Sequence, residues 1–240
     1  MSHVNYTRWA KYILSIAERN GRKIGTVLDV SCGTGTFCLK LAKRNIRITG
    51  SDFSRFMLRK AIGKKSAGTR MPFYVLADVK HLPFKCRYDM VVSLYDSFNY
   101  LLDKSDWKLS FQQIYSSLRD GGLFIFDVST FYNSVYVFRN YVQKEANEQA
   151  AYYRKSSFDK GTMIQKTRFE ITFATNPKMV YRETHRQRIR MLDEIDRLVL
   201  DSPFHIIGRY RDFTFEPGTE ASERVHFVLQ KRVQADGRIE

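Results

Sequence analysis

The sequence predicts an α/β fold: a doubly wound, mostly parallel sheet covered by helices on both faces, carrying a small antiparallel β insertion. Three observations predict it. Apolar strand-like runs alternate with amphipathic segments through the first half. The first of these runs, "VLDVSCGTGT", falls into a side-chain-poor turn. After Thr130 the apolar period switches to two, which is antiparallel grammar. With 240 residues the chain is long enough to bury a sizeable core.

In chain order, "MSHVNYTRWAKYILSIAERNGRK" puts Trp9, Tyr12, Ile13 and Ile16 on one helical face, so it is expected to be a packing helix of the fold rather than a targeting segment. The strands "GTVLDV", "IRITGSD", "PFYVLAD", "YDMVVSL" and "GGLFIFDV" follow. Between them lie the helical segments "GTFCLKLAKRN", "SRFMLRKAIGKK" and "SDWKLSFQQIYSSLRDGG". The last of these spaces Trp107, Phe111, Ile114 and Leu118 for one face, and Gly121 and Gly122 are expected to stop it. Beyond Thr130, Phe169, Ile171 and Phe173 alternate with Arg168, Glu170 and Thr172, with turn signals at "DKG" and "TNP". A three-stranded meander is expected there. "MLDEIDRLVLDS" returns to helix, with Leu192, Ile195, Leu198 and Val199 on one side. "FHIIGRYRDFTF" and "SERVHFVLQKR" close the chain as two strands joined by "EPGTEA". The expected division is therefore a sheet domain of residues 1–130 and 191–240, interrupted by a cap of residues 131–190 that is too short to hold much core alone.

The charge balance, 40 basic against 25 acidic residues, favours anionic partners such as RNA or acidic metabolites. No run of five consecutive basic residues concentrates it. Cys32, Cys38 and Cys86 cannot all pair and lack CxxC spacing, which suits a reducing cytoplasm and argues against structural zinc. No apolar stretch approaches the roughly 18 residues that span a bilayer, so no membrane partner is expected.

Ligands of such sheets sit at the carboxyl ends of the strands. A dinucleotide loop wants G-x-G-x-x-G, but those positions here are Ser31, Gly33 and Thr36, so only the middle glycine matches. Asp29 precedes the turn, where it can order loop amides or meet an ammonium. The second strand ends in Asp52, placed to receive two ribose hydroxyls, and the third in Asp78, placed to read an adenine edge. Three acids at three successive strand ends are a stronger signal than one glycine turn.

On these motifs the sequence resembles the class I S-adenosylmethionine-dependent methyltransferases. "VLDVSCGTGT" resembles their first motif with Ser31 in place of the first glycine, "GSDFS" the second, and "LADVKHLPF" the adenine-contacting one. "YDMVVSLYDSFNYLLD" and "LRDGGLFIFDVST" resemble the fourth and fifth strands of that Rossmann-like fold. "THRQRIRMLDEIDRLV" and "GRYRDFTFEPGTEASERVHFVLQK" are similar to the C-terminal half of a small bacterial group with an antiparallel insertion after strand five. The resemblance implies S-adenosyl-L-methionine as cofactor. It places Asp29, Cys32, Gly33 and Gly35 beside its methionine part, Asp52 on the ribose, and Phe53, Asp78 and Val79 at the adenine. It sets Leu94 beneath the cofactor, has Tyr95, Asp96 and Asn99 face the reacting methyl, and closes Tyr6 and Trp9 over the cofactor.

No metal is implied. Of the five histidines, His185 is the candidate general base, because the last strand of the insertion should hang over the strand ends. Arg186, Arg188 and Arg190 share one face of that strand. The expected activity is methyl transfer to N or O of a small-molecule acceptor enclosed by the cap. RNA methylation and non-catalytic cofactor binding are the alternatives.

Overall fold

The computed structural model describes residues 4–64 and 70–232. Helix α1 (Tyr6–Arg19) is followed by β1 (Thr26–Asp29), α2 (Thr36–Ala42), β2 (Arg47–Asp52), α3 (Arg55–Ile62), β3 (Phe73–Leu76) and β4 (Tyr88–Ser93). Then come α4 (Lys104–Ser117), β5 (Leu118–Ser129), β6 (Val142–Ala146), β7 (Ala150–Asp159), β8 (Ile164–Phe173), β9 (Asn176–Arg188), α5 (Leu192–Leu200), β10 (Phe204–Arg211) and β11 (Arg224–Lys231). Two sheets result. The larger has seven strands in the order β10-β11-β5-β4-β1-β2-β3. Strands β3, β2, β1, β4 and β5 pair in parallel, and β11 and β10 add antiparallel pairs at one edge. The smaller sheet is antiparallel, in the order β6-β7-β8-β9.

The near-continuous apolar runs of the central strands follow from burial on both faces. Val27 and Val92 point into a core shared with Trp9, Ile13 and Ile16 of α1 and Phe37 and Leu41 of α2. Their neighbours Leu28 and Val91 point into a second core with Trp107, Phe111 and Ile114 of α4 and Ile195 and Leu198 of α5. Alternation of side chains along a strand thus feeds two cores at once. Asn5 caps α1 by accepting from the Arg8 N–H at 2.9 Å, and Ser54 caps α3 through the Met57 N–H.

Three expectations need correction. Helix α4 ends at Ser117, and Leu118 opens β5 rather than closing the helical face. The glycines lie inside β5, at an irregularity where Tyr88 pairs with Leu118 but Met90 pairs with Leu123. The extra residues bulge out, which requires φ +70° at Gly121 and leaves no room at Gly122, where a Cβ would crowd the Arg119 carbonyl at 2.8 Å. The insertion has four strands, not three. Strand β6, "VQKEA", is a polar, largely exposed edge strand and carries no alternation to reveal it. The "TNP" signal is also displaced by a residue: the hairpin turns at Ala174–Thr175, and Asn176 already pairs with Phe173.

The smaller sheet stands over the carboxyl edge of the larger one. Gln187 of β9 donates to the Asp96 carboxylate at 2.5 Å, and Asn99 donates to the Arg188 carbonyl at 3.2 Å. Its inner face is largely polar, with Ser134 bonded to Gln165 and Ser156 to Thr167 in buried positions. Such a surface organises well but supplies little hydrophobic drive of its own. No described helix is long and apolar enough to cross a membrane.

Candidate active site

The turn after β1 is built from backbone. Gly33 and Gly35 take φ of +52° and +71°, the left-handed region that admits glycine at no steric cost. The Gly33 N–H donates at 2.8 Å to Asp52 Oδ2, while Asp52 Oδ1 accepts from the Ser54 N–H at 2.8 Å. One carboxylate therefore joins the ends of β1 and β2 and remains with spare lone pairs toward the edge. A Cβ built on Gly33 would meet nothing within 4 Å, so the backbone faces open space there. Gly35 instead has the Tyr74 hydroxyl close above it, donating to its carbonyl at 3.4 Å. Lys64 Nζ spans the turn from outside, donating to the Thr34 and Thr36 hydroxyls at 2.9 and 2.6 Å.

Asp29 is buried, accepting from the Ser31 N–H at 3.2 Å and from Cys38 Sγ at 3.7 Å. Burial, with Asp52 adding, pushes its pKa up to about 7 against those two hydrogen bonds. The Tyr6 hydroxyl is raised first by burial and then by the Asp29 charge, which sets the N-terminal helix beside this carboxylate. Phe53 stands 81% exposed next to Asp52, a bare ring at the sheet edge. Asp78 accepts from the Lys80 N–H at 2.9 Å and has Lys80 Nζ at 3.8 Å, and Val79 packs at the margin of the second core. Cys32 is buried, its thiol packed with that of Cys38 against the bare face of Gly50 and within 3.8 Å of the Gly33 carbonyl, to which it donates. Leu94 is buried in the first core.

A different arrangement occupies the end of β4. Tyr95 and Asp96 both have positive φ, 68° and 50°, a conformation costing on the order of 1–3 kcal/mol per non-glycine residue. Asp127, at the end of β5, holds it: its two oxygens accept from the Tyr95 and Asp96 N–H groups at 2.7 and 2.8 Å. Arg224 of β11 lies between the Asp127 and Asp96 carboxylates, 2.9 Å from Asp96 Oδ1, and its guanidinium covers the Trp9 and Tyr95 rings at 5.7 and 5.3 Å. Burial raises the pKa of both acids, and Arg224 works against that rise. Two carboxylates against one guanidinium leave the corner electronegative. His226 beside it is held neutral, its pKa lowered to about 3 by burial and by Arg224.

The residues expected around the reacting methyl thus separate. Tyr95 and Asp96 form the corner itself. Asn99 does not face open space: its amide clasps the Ser129 backbone in both directions and the Arg188 carbonyl, at 1% exposure. It is spent on joining β5 to β9. Trp9 is 5% exposed, packed on Tyr95, Phe213 and His226 with centroids 5.5, 4.8 and 5.3 Å away, so it braces the corner from behind. His185 stands over the corner on β9, where Nδ1 is 2.8 Å from the Tyr100 hydroxyl and Nε2 is 3.4 Å from Glu183. The three arginines do not act together, because Arg190 is buried against Glu194 and the Leu102 carbonyl.

Sequence reasoning missed Asp127, Arg224 and Gln187. Asp127 did carry a signal, an acid inside the apolar run "LFIFDV". Arg224 and Gln187 carried none, since their partners lie 128 and 91 residues away.

Comparison with known proteins agrees with this geometry. The family described as Methyltransferase domain matches residues 27–122. YqeM of Bacillus subtilis (strain 168), named as a methyltransferase, is 30% identical over 236 residues, covering 96% of this chain and 92% of that protein. A protein of Geobacillus sp. (strain WCH70), also named as a methyltransferase, is 29% identical over 96% of this chain and 95% of its own length. Among solved structures, an S-adenosylmethionine-dependent methyltransferase from Clostridium acetobutylicum ATCC 824 superposes with a TM-score of 0.84 at 22% identity, over 96% of this chain and 94% of that one. CalS10, an amino pentose methyltransferase of Micromonospora echinaspora solved with its cofactor bound, superposes with a TM-score of 0.74 at 15% identity, over 96% and 93% of the two chains. These two structures share the fold.

Proposed function

From a chain that belongs to the S-adenosylmethionine-dependent methyltransferases, we propose an enzyme that moves a methyl group to N or O of a small-molecule acceptor held between the sheet edge and the cap. The observation that carries the reading is the Asp52 carboxylate, joined to the Gly33 N–H beside open space, with Asp29 and Asp78 at the neighbouring strand ends. Three acids along one sheet edge suit a nucleoside bearing a cationic tail. Asp52 would receive the ribose hydroxyls, Phe53, Asp78 and Val79 would border the adenine, and the backbone of Cys32, Gly33 and Gly35 would border the methionine part. Asp29 would face its ammonium, with Tyr6 above and Leu94 below.

When bound, S-adenosylmethionine supplies a methyl group already activated on a cationic sulfur. The chain's own task is then mostly to position the acceptor, an effect that can contribute about 7–11 kcal/mol. Asp127 and Arg224 hold the Tyr95–Asp96 backbone rigid, and Gln187 ties the cap to that corner. An acceptor that must shed a proton passes it to the His185–Tyr100 pair, the proton coming to rest on His185. Glu183 beside Nε2 stabilises the imidazolium.

Incubating the protein with methyl-labelled cofactor and with separate small-molecule and RNA extracts tests the proposal. Label is expected in the small-molecule fraction; label confined to RNA, or none transferred anywhere, overturns it.

A further inference from the structure

The inner face of the cap carries one arginine that has no acid to answer it. In the register of the small sheet, Arg154 of β7 lies opposite Phe169 of β8, which lies opposite Glu183 of β9. Two residues along, Ser156, Thr167 and His185 line up the same way, and after them Phe158, Gln165 and Gln187. This is the face that meets the sheet edge, because Gln187 touches Asp96 and His185 touches Tyr100. Arg154 therefore looks into the same space as the proton-accepting pair, two inter-strand spacings, or about 10 Å, from β9. Its charge is felt there: burial, with Asp96 adding, raises the Tyr100 pKa, and Arg154 opposes the rise.

The surroundings of Arg154 suit an anion. Its guanidinium lies 5.0, 5.2 and 5.6 Å from the ring centroids of Phe138, Tyr141 and Phe169. Three rings fix the flat group and shield one side from water. Its Nε is buried and makes no hydrogen bond. No carboxylate comes within 4 Å of it among the described residues, whereas Arg224 has two and Arg190 and Arg182 have one each. A buried, unanswered N–H on a charged group costs free energy unless a ligand completes it. The residue as a whole is half-buried, and Nε is the one Arg154 nitrogen that is fully buried without a partner, which leaves the terminal pair for a ligand. A planar guanidinium with its two terminal nitrogens available matches a carboxylate or phosphate end-on in two-point geometry.

Taking as given that the cap covers a small-molecule acceptor, we propose that Arg154 is the anion-binding subsite of that pocket, so that the methyl acceptor carries a carboxylate or phosphate about 10 Å from the His185–Tyr100 pair. A recess between three rings takes one such group. It does not track a nucleic-acid backbone.

Two experiments on the full chain decide it. The first titrates the protein with inorganic phosphate and with acetate while following the Arg154 Nε–H resonance, assigned by its loss in Arg154→Gln. A saturable shift is expected with at least one anion; no shift with either overturns the subsite, whatever the reaction proves to be. The second divides the labelled small-molecule extract on an anion exchanger. Label is expected in the retained pool, and Arg154→Gln is expected to raise the KM for that pool about 10- to 100-fold with cofactor affinity and melting temperature unchanged. Arg154→Lys should recover part of the loss. Loss of the product on phosphatase treatment marks a phosphate, and loss of retention on esterification marks a carboxylate; both support the subsite. Label in the unretained pool, or an Arg154→Gln enzyme with unchanged KM, overturns the subsite and leaves the methyltransferase reading standing. Label in RNA alone overturns both.

Discussion

The two halves of the carboxyl edge are built on opposite plans. At the ends of β1, β2 and β3, the polar groups are bound mainly to backbone close by in the sequence: Asp29 to Ser31, Asp52 to Ser54, Asp78 to Lys80. Asp29 and Asp52 are buried beside the open Gly33 backbone, and Asp78 is half-exposed. At the end of β4 the polar groups are consumed by one another. Asp96, Asp127, Arg224 and Gln187 form a closed, buried network drawn from four separate elements, around a backbone turn that two non-glycine residues would otherwise avoid. Small residues and short-range hydrogen bonds suffice at the edge proposed to grip the cofactor. Long-range ion pairs appear where a rigid corner must be held against its own strain.

That contrast can be broken from either side. The largest effect is expected at the cap: His185→Ala should slow turnover about 10²- to 10⁴-fold while leaving cofactor affinity intact, as a residue moving a proton would. Single-turnover rates on the true acceptor check it, and equal rates would return His185 to a structural role. Next comes the corner. Arg224→Gln leaves two buried carboxylates without their cation and should destabilise the chain by about 3–5 kcal/mol, visible in the urea midpoint. A change within experimental scatter would mean that the network carries no load. At the ends of β1 to β3 the expected effects are smaller and fall on affinity. Asp52→Ala should weaken S-adenosylmethionine binding about 10- to 100-fold by calorimetry, through lost hydrogen bonds to a charged acceptor, and an unchanged constant would remove the ribose role.

The smallest effect is a pH dependence. Asp29 ionises at about 7 rather than 3.8, so it is charged only in the upper part of the neutral range. Between those values the folded chain holds a proton that the unfolded chain has released, and stability falls as pH rises through that window. Affinity for a cationic ligand has the opposite sign. It should grow as pH rises through about 7, approaching tenfold per pH unit below that point. Asp29→Asn should flatten both curves, with Tyr6, Cys38 and Asp52 as the neighbours whose titration must be followed alongside. Parallel curves for the two proteins would take Asp29 out of the ligand's field.

What was legible in the sequence follows the same division. The strands could be read because both faces of β1, β4 and β5 are largely buried and their central residues, Val27–Leu28, Met90–Val92 and Leu123–Phe126, are apolar. The turns after β1, β2 and β3 could be read because their logic is local: an acid stands at each strand end and bonds the backbone two residues on. Helix α4 was misread at its end because glycines usually stop a helix, and the bulge that needs them at Gly121 and Gly122 exists only through pairing with β4. Strand β6 was missed because an edge strand with solvent on most sides needs no pattern. Asn99 illustrates the wider difficulty. Its place after β4 suggests the reacting methyl, but which backbone its amide clasps depends on β5 and β9, 30 and 89 residues away. The corner at the end of β4 is a tertiary construction, and composition near each residue says little about it.

Hydrogen exchange with and without S-adenosylmethionine tests the central claim most directly. If the cofactor is gripped by the turns after β1, β2 and β3, amides around 30–36, 52–55 and 78–81 gain protection together, and those of 150–188 change little. Protection confined to the cap, or absent from the Gly33 and Ser54 amides that Asp52 holds, would contradict it.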